Sequence, residues 1–177
     1  TFNAAKADVK GAELELLLSM GDQFELGGYL GYNKNKYTNY KNDPDGPGPI
    51  PAQDLSGQPF VFNPKYKFSI FSTVRLPLEN LGELSLTANY SYQAKLYTTA
   101  TPAPQFYDQQ PGYGNLDARI DWDRFMGRDG LSMSLFVTNL TKNKKGDGGF
   151  GAYNSLGLWG ISPAVPRQVG ARLRYDF

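Results

Sequence analysis

Residues 113–125 read Tyr-Gly-Asn-Leu-Asp-Ala-Arg-Ile-Asp-Trp-Asp-Arg-Phe, so that Leu116, Ala118, Ile120 and Trp122 alternate with Asp117, Arg119, Asp121 and Asp123. A period of two is the mark of a strand with one apolar and one charged face. Working outward, segment 131–141 sets Leu131, Met133, Leu135 and Val137 against Ser132, Ser134 and Thr138. Segment 83–97 sets Leu84, Leu86, Ala88, Tyr90 and Tyr92 against Ser85, Thr87, Asn89, Ser91 and Gln93. In 65–76, Tyr66, Phe68, Ile70, Val74 and Leu76 oppose Lys67, Ser69, Thr73 and Arg75. At the end of the chain Val169, Ala171, Leu173, Tyr175 and Phe177 oppose Gln168, Arg172 and Arg174. Two noisier segments come first. In 9–20 the apolar set is Ala12, Leu14, Leu16, Leu18 and Met20, facing away from Glu13, Glu15 and Ser19; in 24–37, Phe24, Leu26, Leu30 and Tyr32 oppose Glu25, Asn33 and Asn35.

The pattern predicts an all-β, antiparallel chain of seven long strands. Ordinary strands average about five to six residues, whereas tilted membrane-crossing strands need about nine to eleven. Short connections at 21–23, 77–82 and 126–130 alternate with long ones at 38–63, 98–112 and 142–165. Transmembrane barrels separate short periplasmic turns from long extracellular loops in this way. With the short turns inside, both the first and the last strand run inward. An odd count that starts outside predicts further strands before residue 1, and an open sheet would leave unpaired edges in lipid.

Composition narrows the function. The 177 residues hold 18 Lys+Arg and 17 Asp+Glu, with no His and no Cys. Cys/His zinc sites, thiol nucleophiles, Ser-His-Asp triads and disulfides are thereby excluded. A net charge of +1 offers no field for nucleic acid. No apolar run of about 18 residues occurs, which excludes a membrane-spanning helix but not a barrel with a polar lumen. The mean hydropathy of -0.47 fits such a barrel once it is divided by strand phase.

Several stretches resemble the C-terminal part of the TonB-dependent outer-membrane transporters. These are Asn3 to Leu16 with its Gly11-Ala12-Glu13-Leu14-Glu15-Leu16 core, Gly31-Tyr32 through Lys36-Tyr37, Asp54-Leu55-Ser56-Gly57-Gln58-Pro59 followed by Asn63-Pro64-Lys65-Tyr66, Phe136-Val137-Thr138-Asn139-Leu140-Thr141, and Pro166-Arg167 running to Tyr175-Asp176-Phe177. The resemblance implies that 1–177 are the C-terminal portion of a larger barrel, whose plug domain and earlier strands lie outside this sequence. It implies active import of a scarce solute such as an iron-siderophore complex across a bacterial outer membrane, with no covalent chemistry and no cofactor. The implied partners are outer-membrane lipid, the protein's own plug and upstream strands, the TonB complex acting through the N-terminal region, the barrel-assembly machinery and a small-molecule ligand. Tyr175 and Phe177 match the family's terminal assembly signal.

Site residues follow from phase and position. Glu13, Glu15, Lys67, Arg75, Asp117, Arg119, Asp121, Arg172 and Arg174 are expected to face the lumen, because an Arg in lipid near the midplane costs about 2–4 kcal/mol. The loop aromatics Phe60, Phe62, Phe106, Tyr107, Phe150, Tyr153 and Trp159 are candidates for gripping a ligand by stacking, against the plainer reading that they pack among themselves. Two aromatic girdles are expected, Tyr37, Tyr40, Tyr90, Tyr92 and Tyr97 outside and Phe24, Trp122, Phe125, Tyr175 and Phe177 inside. Gly146 to Gly151 fits a G-x-G-x-x-G string but lacks a βαβ context, and is expected to be a flexible loop. Lys41 to Gly46 reads as a turn rather than a calcium loop, and the sequons at Asn89 and Asn139 fall in expected strands. No metal site is expected. Two other readings stay open: a small eight-stranded pore or adhesin barrel, and a secreted carbohydrate-binding β-sandwich.

Overall fold

The computed structural model describes residues 6–42, 53–100, 109–145, 148–152 and 158–177. Its centre is one antiparallel sheet of seven strands. In chain order these are β1 (Lys6–Met20), β2 (Phe24–Asn39), β5 (Tyr66–Pro77), β6 (Glu83–Gln93), β9 (Tyr113–Asp123), β10 (Leu131–Thr138) and β13 (Gln168–Tyr175). Each pairs with the next, so the sheet is a plain meander with β1 and β13 at its edges.

One pleat phase runs unbroken across all seven strands. Leu30 lies opposite Phe68, Val74 opposite Leu86, Leu86 opposite Ile120, Ile120 opposite Leu135 and Leu135 opposite Ala171. From Ala12 down to Met20 on β1 and along the matching positions of the other strands, this face carries no charged residue. It is also left open, with Leu16 55%, Ile70 50% and Leu173 67% exposed. From Tyr66 to Leu76 is ten residue steps. At about 3.3 Å per step and a tilt of about 40°, that is a band about 25 Å tall. The other face holds the charges, and a one-residue slip of any strand would exchange the two.

Both rims of the band are aromatic. At one rim Tyr66 and Phe68 stack on Tyr92 with ring centres 6.0 and 5.4 Å apart, and Tyr90 packs 6.0 Å from Phe68. At the other, Trp122 meets Phe125 edge-on at 4.9 Å and Tyr175 meets Phe177 at 5.0 Å. Tyr37 and Tyr40 depart from the expected girdle. They pack on each other, with Phe60 against Tyr37, above the band, because β2 runs on past the rim.

The short connections are tight. Leu78 N–H donates to Gly82 O at 2.8 Å, and Gly82 has φ 100, where any Cβ would collide with the backbone carbonyl of Asp123. The Trp122 indole N–H donates to Leu81 O at 2.8 Å, tying this turn to the end of β9. Each long connection carries a small antiparallel pair that sequence reading missed. These are β3 (Lys41–Asn42) with β4 (Gln53–Asp54), β7 (Leu96–Tyr97) with β8 (Gln109–Gln110), and β11 (Gly148–Ala152) with β12 (Leu158–Ser162). The G-x-G string is therefore strand over Gly148 to Gly151, not flexible loop, while 146–147 lie outside the described residues. Of the Lys41 to Gly46 turn, only Lys41 and Asn42 are described.

Glycines on the polar face are roofed by aromatic rings from the neighbouring strand. Phe71 lies over its register partner Gly27, and Phe136 over Gly170. A Gly27→Val substitution is expected to destabilise the sheet by about 1–3 kcal/mol through overpacking. Phe71→Ala in the same protein should recover part of that loss. Urea unfolding of the single and double variants in lipid vesicles measures both.

Candidate functional site

The polar face is organised in rows that cross the strands. One row runs Arg75, Ser85, Asp121, Ser134, Arg172, and the next runs Pro77, Glu83, Asp123, Ser132, Arg174. Arg119 grips Asp121 with two hydrogen bonds, Nε to Oδ2 at 2.6 Å and Nη2 to Oδ1 at 2.5 Å. The Ser134 hydroxyl accepts from Arg119 at 3.2 Å and donates to Asp121 at 2.6 Å. Arg174 pairs with Asp176 at 2.9 Å, and the Tyr29 hydroxyl donates to Glu13 at 3.3 Å. Glu13, Glu15, Lys67, Arg75, Asp117, Arg119, Asp121, Arg172 and Arg174 all lie on this one face of the sheet. Neutral polar pairs fill the rows between them, with Ser69 donating to Asn89 at 2.8 Å and Thr73 meeting Thr87 at 3.2 Å.

Towards the long connections this face opens into two hollows. One, of about 490 Å³, is lined by Glu13, Tyr29, Asn33, Asn63 and Lys67 among others. The other, of about 410 Å³, is lined by Tyr113, Asn115, Asp117, Thr138, Asn139 and Gln168 among others. The Thr138 hydroxyl is buried there with no partner among the described residues. The lining suits a hydrogen-bonding occupant better than an apolar one. Among the described residues no cluster of acidic groups is arranged to hold a metal ion.

Asn139, beside the second hollow, is only 5% exposed. Its backbone sits at φ 51 and ends β10, so the expected strand 131–141 stops at Thr138 and the sequon lies in a turn. Its amide donates to Asn143 O at 2.8 Å and Val165 O at 2.9 Å. Its side-chain oxygen accepts from Asn143 N–H at 2.7 Å and Thr141 Oγ1 at 3.3 Å, while its own N–H donates to Asp117 Oδ1 at 2.8 Å. One side chain thus closes both ends of a long connection.

The first long connection folds back onto β2. Leu55 is 2% exposed and, with Ala94 and Leu96, makes up the buried apolar residues among those described. The packed core therefore lies in the loop layer, not in the sheet. Phe60 is part of it, its ring 4.7 Å from Tyr37 and its N–H donating to Asn35 Oδ1 at 2.6 Å. Phe62 is not. It is 53% exposed at φ 54, a costly region for a residue with a Cβ, and its N–H donates to Tyr97 O in the next connection at 2.7 Å. Phe106, Tyr107 and Tyr153 lie outside the described residues, and for Phe150 and Trp159 only the backbone is described.

Asp54 fixes the turn that places Leu55. Its carboxylate accepts the Ser56 N–H at 2.9 Å, and hydrogen bonding by Ser56 holds its pKa below the usual carboxyl value. A lowered carboxyl contributes stability that is fully present above the unfolded value of about 3.9 and is lost as pH falls through the lower folded value. Protection of the Ser56 amide, its exchange rate relative to an unstructured peptide at the same pH, is expected to fall over that acid range, and Asp54→Asn should abolish that pH-dependent loss of protection.

These features have counterparts among known proteins. A sequence model described as TonB dependent receptor-like, beta-barrel matches residues 1–140. The chain belongs to that family.

No curated protein sequence matches it. Among solved structures, the siderophore receptor PiuA of Acinetobacter baumannii superposes with a TM-score of 0.74 at 17% identity, over 96% of this chain and 22% of PiuA. The ferric yersiniabactin uptake receptor FyuA of Yersinia pestis gives 0.75 at 19%, over 99% of this chain and 24% of FyuA. The ferric preacinetobactin receptor BauA of A. baumannii gives 0.67 at 19%, over 97% and 22%. At such identities the likeness is one of fold. The chain spans about a quarter or less of the length of these receptors.

Within this receptor-barrel segment, Asn139 and Thr138 are the polar residues that reading for site chemistry missed. The available signal was the Asn-Leu-Thr segment, whose Asn is both a left-handed former and a four-way hydrogen-bonding side chain.

Proposed function

We propose that residues 1–177 form the C-terminal wall and extracellular vestibule of a TonB-dependent importer in a Gram-negative outer membrane, taking up a scarce solute such as an iron-siderophore complex. The observation that carries this reading is the coherent pleat: a charge-free face about one membrane tall, backed by a face that holds every strand charge within the band. In this reading the edges of β1 and β13 are completed by strands of the same protein, since an edge open to lipid leaves backbone groups unsatisfied. The polar rows, with Arg119 and Asp121 neutralising each other, face the lumen and the plug. Tyr175 and Phe177 serve the barrel-assembly machinery. Energy comes from the TonB complex, engaged by the N-terminal region.

Capture falls to the long connections. Phe62 is the described loop aromatic most available for it, because Phe60 is committed to packing on Tyr37. Phe106, Tyr107, Tyr153 and Trp159 complete the candidate set.

The test uses the full-length protein in cells starved of iron. Labelled ferric siderophores of several chemical types are offered, and uptake of one of them is expected to cease when the inner membrane is de-energised. Uptake that ignores de-energisation would replace this reading with a passive pore. Phe62→Ala should weaken binding of the transported complex by about tenfold, the worth of one good aromatic contact. Binding to isolated membranes measures it.

A further inference from the structure

The second hollow on the polar face lies at the long-connection ends of β6, β9, β10 and β13. β9 supplies Tyr113, Asn115 and Asp117, three successive positions of the polar phase, while Ser91 lies opposite Asn115 and Thr138 opposite Gln168. These groups are not equally committed. Asp117 accepts the Asn115 amide at 3.0 Å and the Asn139 N–H at 2.8 Å, both on Oδ1, which leaves Oδ2 without a hydrogen bond among the described residues. The Asn115 side-chain oxygen, the Ser91 hydroxyl and the Gln168 amide are likewise unengaged among them. The Thr138 hydroxyl is buried with no partner there. No Lys or Arg lines this hollow, in contrast to the first, which holds Lys67.

A hydroxyl buried without a partner is destabilising until something bonds it, and a turn about χ1 aims that of Thr138 into the hollow. An occupant has to bring donors to the free oxygens of Asn115, Asp117 and Gln168. It has to do so without negative charge, because Asp117 is a carboxylate and no lining cation offsets it. A catecholate, carboxylate or phosphate fails on that count, and an ammonium would satisfy Asp117 while leaving the two hydroxyls idle. Sugar hydroxyls donate and accept and carry no charge, so they pair with every one of these groups. Tyr113 adds a ring on which the C–H edge of a pyranose packs. We propose that Ser91, Tyr113, Asn115, Asp117, Thr138 and Gln168 form a binding site for an uncharged sugar unit of the imported solute. The volume of about 410 Å³, at the low end for small-molecule sites, suits about one or two such rings. The proposal rests on the reading above that the polar face lines the lumen of an importer.

The experiment uses the full-length protein, purified in a polyoxyethylene detergent that carries no sugar and titrated calorimetrically with maltotriose, cellotriose and xylotriose. Glucuronate and spermidine serve as charged comparators. One of the neutral trisaccharides is expected to bind, and Tyr113→Ala and Gln168→Leu each to weaken it about tenfold. Thr138→Val, which exchanges the hydroxyl for a methyl, is expected to weaken binding to a similar degree while leaving the midpoint of urea unfolding unchanged or raised. A threonine with only a structural role would lower that midpoint and spare binding. No binding of any trisaccharide at about 10 mM, tighter binding of glucuronate or spermidine, or an affinity indifferent to all three substitutions overturns the site. The importer and the sugar site fail separately. Solute uptake that still stops when the inner membrane is de-energised, while no neutral sugar binds, defeats only the site; sugar binding in a protein whose uptake ignores de-energisation defeats only the importer.

Discussion

An Ile70→Arg protein is expected to lose about 2–4 kcal/mol of stability in lipid and to accumulate outside the membrane fraction. Ile70 lies near the middle of β5, half exposed on the charge-free face, opposite Gly28 on one side and Tyr90 on the other. No neighbour there offers a carboxylate. A guanidinium at this depth must either desolvate or drag water into the hydrocarbon, and the nearest polar rim is about half the band away. Thr73→Lys makes the control, three residues along the same strand but on the polar face, opposite Glu25 and Thr87. It forfeits one hydroxyl contact and gains a carboxylate neighbour, so its change should stay within about 1 kcal/mol. Urea unfolding in vesicles and heat-modifiable gel mobility read both variants. Equal tolerance of the two substitutions would mean that the apolar face does not meet lipid.

Asn139→Ala is expected to be the most damaging single change in the described loop layer. It removes two donated and two accepted side-chain hydrogen bonds, strands the carbonyls of Asn143 and Val165, and places alanine at φ 51. Each buried group left without a partner costs about 1–3 kcal/mol, and the left-handed backbone adds about 1. A loss of roughly 3–5 kcal/mol follows, confined to the turn at 139–143 and the return of the chain at Val165. Asn139→Gly separates the two causes, since glycine accepts the backbone angle and lacks only the side chain; it should recover about 1 kcal/mol. Hydrogen exchange at the Asn143 and Lys142 amides reports the local opening. Exchange unaffected by alanine would show that the connection is held elsewhere.

The strands were legible because period two is written locally, residue by residue. Leu116 to Asp123 displays it without any knowledge of neighbours, and the structure extends the same phase across six further strands. Where the pattern was noisy, at Gly27 and Gly28, the reason is visible only across strands: Phe71 fills the space over Gly27. The strand ends were misjudged where a backbone angle, not hydropathy, decides. Thr138 and Leu140 both suit a strand, yet Asn139 between them turns left-handed because its side chain finds four partners.

The loop layer shows the same division. Nothing near Leu55 in sequence marks it as the most buried of the described side chains, because the fold-back that brings its N–H to Tyr40 O at 2.8 Å spans more than ten residues. Phe60 and Phe62 are two residues apart and equally aromatic. One is committed to packing and the other displayed, a difference set by the φ of 54 at Phe62 and its bond to Tyr97.

The sequence by itself determined the seven strands of the main sheet, the two-faced pleat, the segregation of short and long connections, and the side on which each strand charge sits. All of these depend on the order of side chains along one strand or on the spacing between strands. Tertiary structure alone decided which aromatics are free and where lysines meet across β1 and β2. Those depend on register, and register is a relation between segments that no single segment encodes.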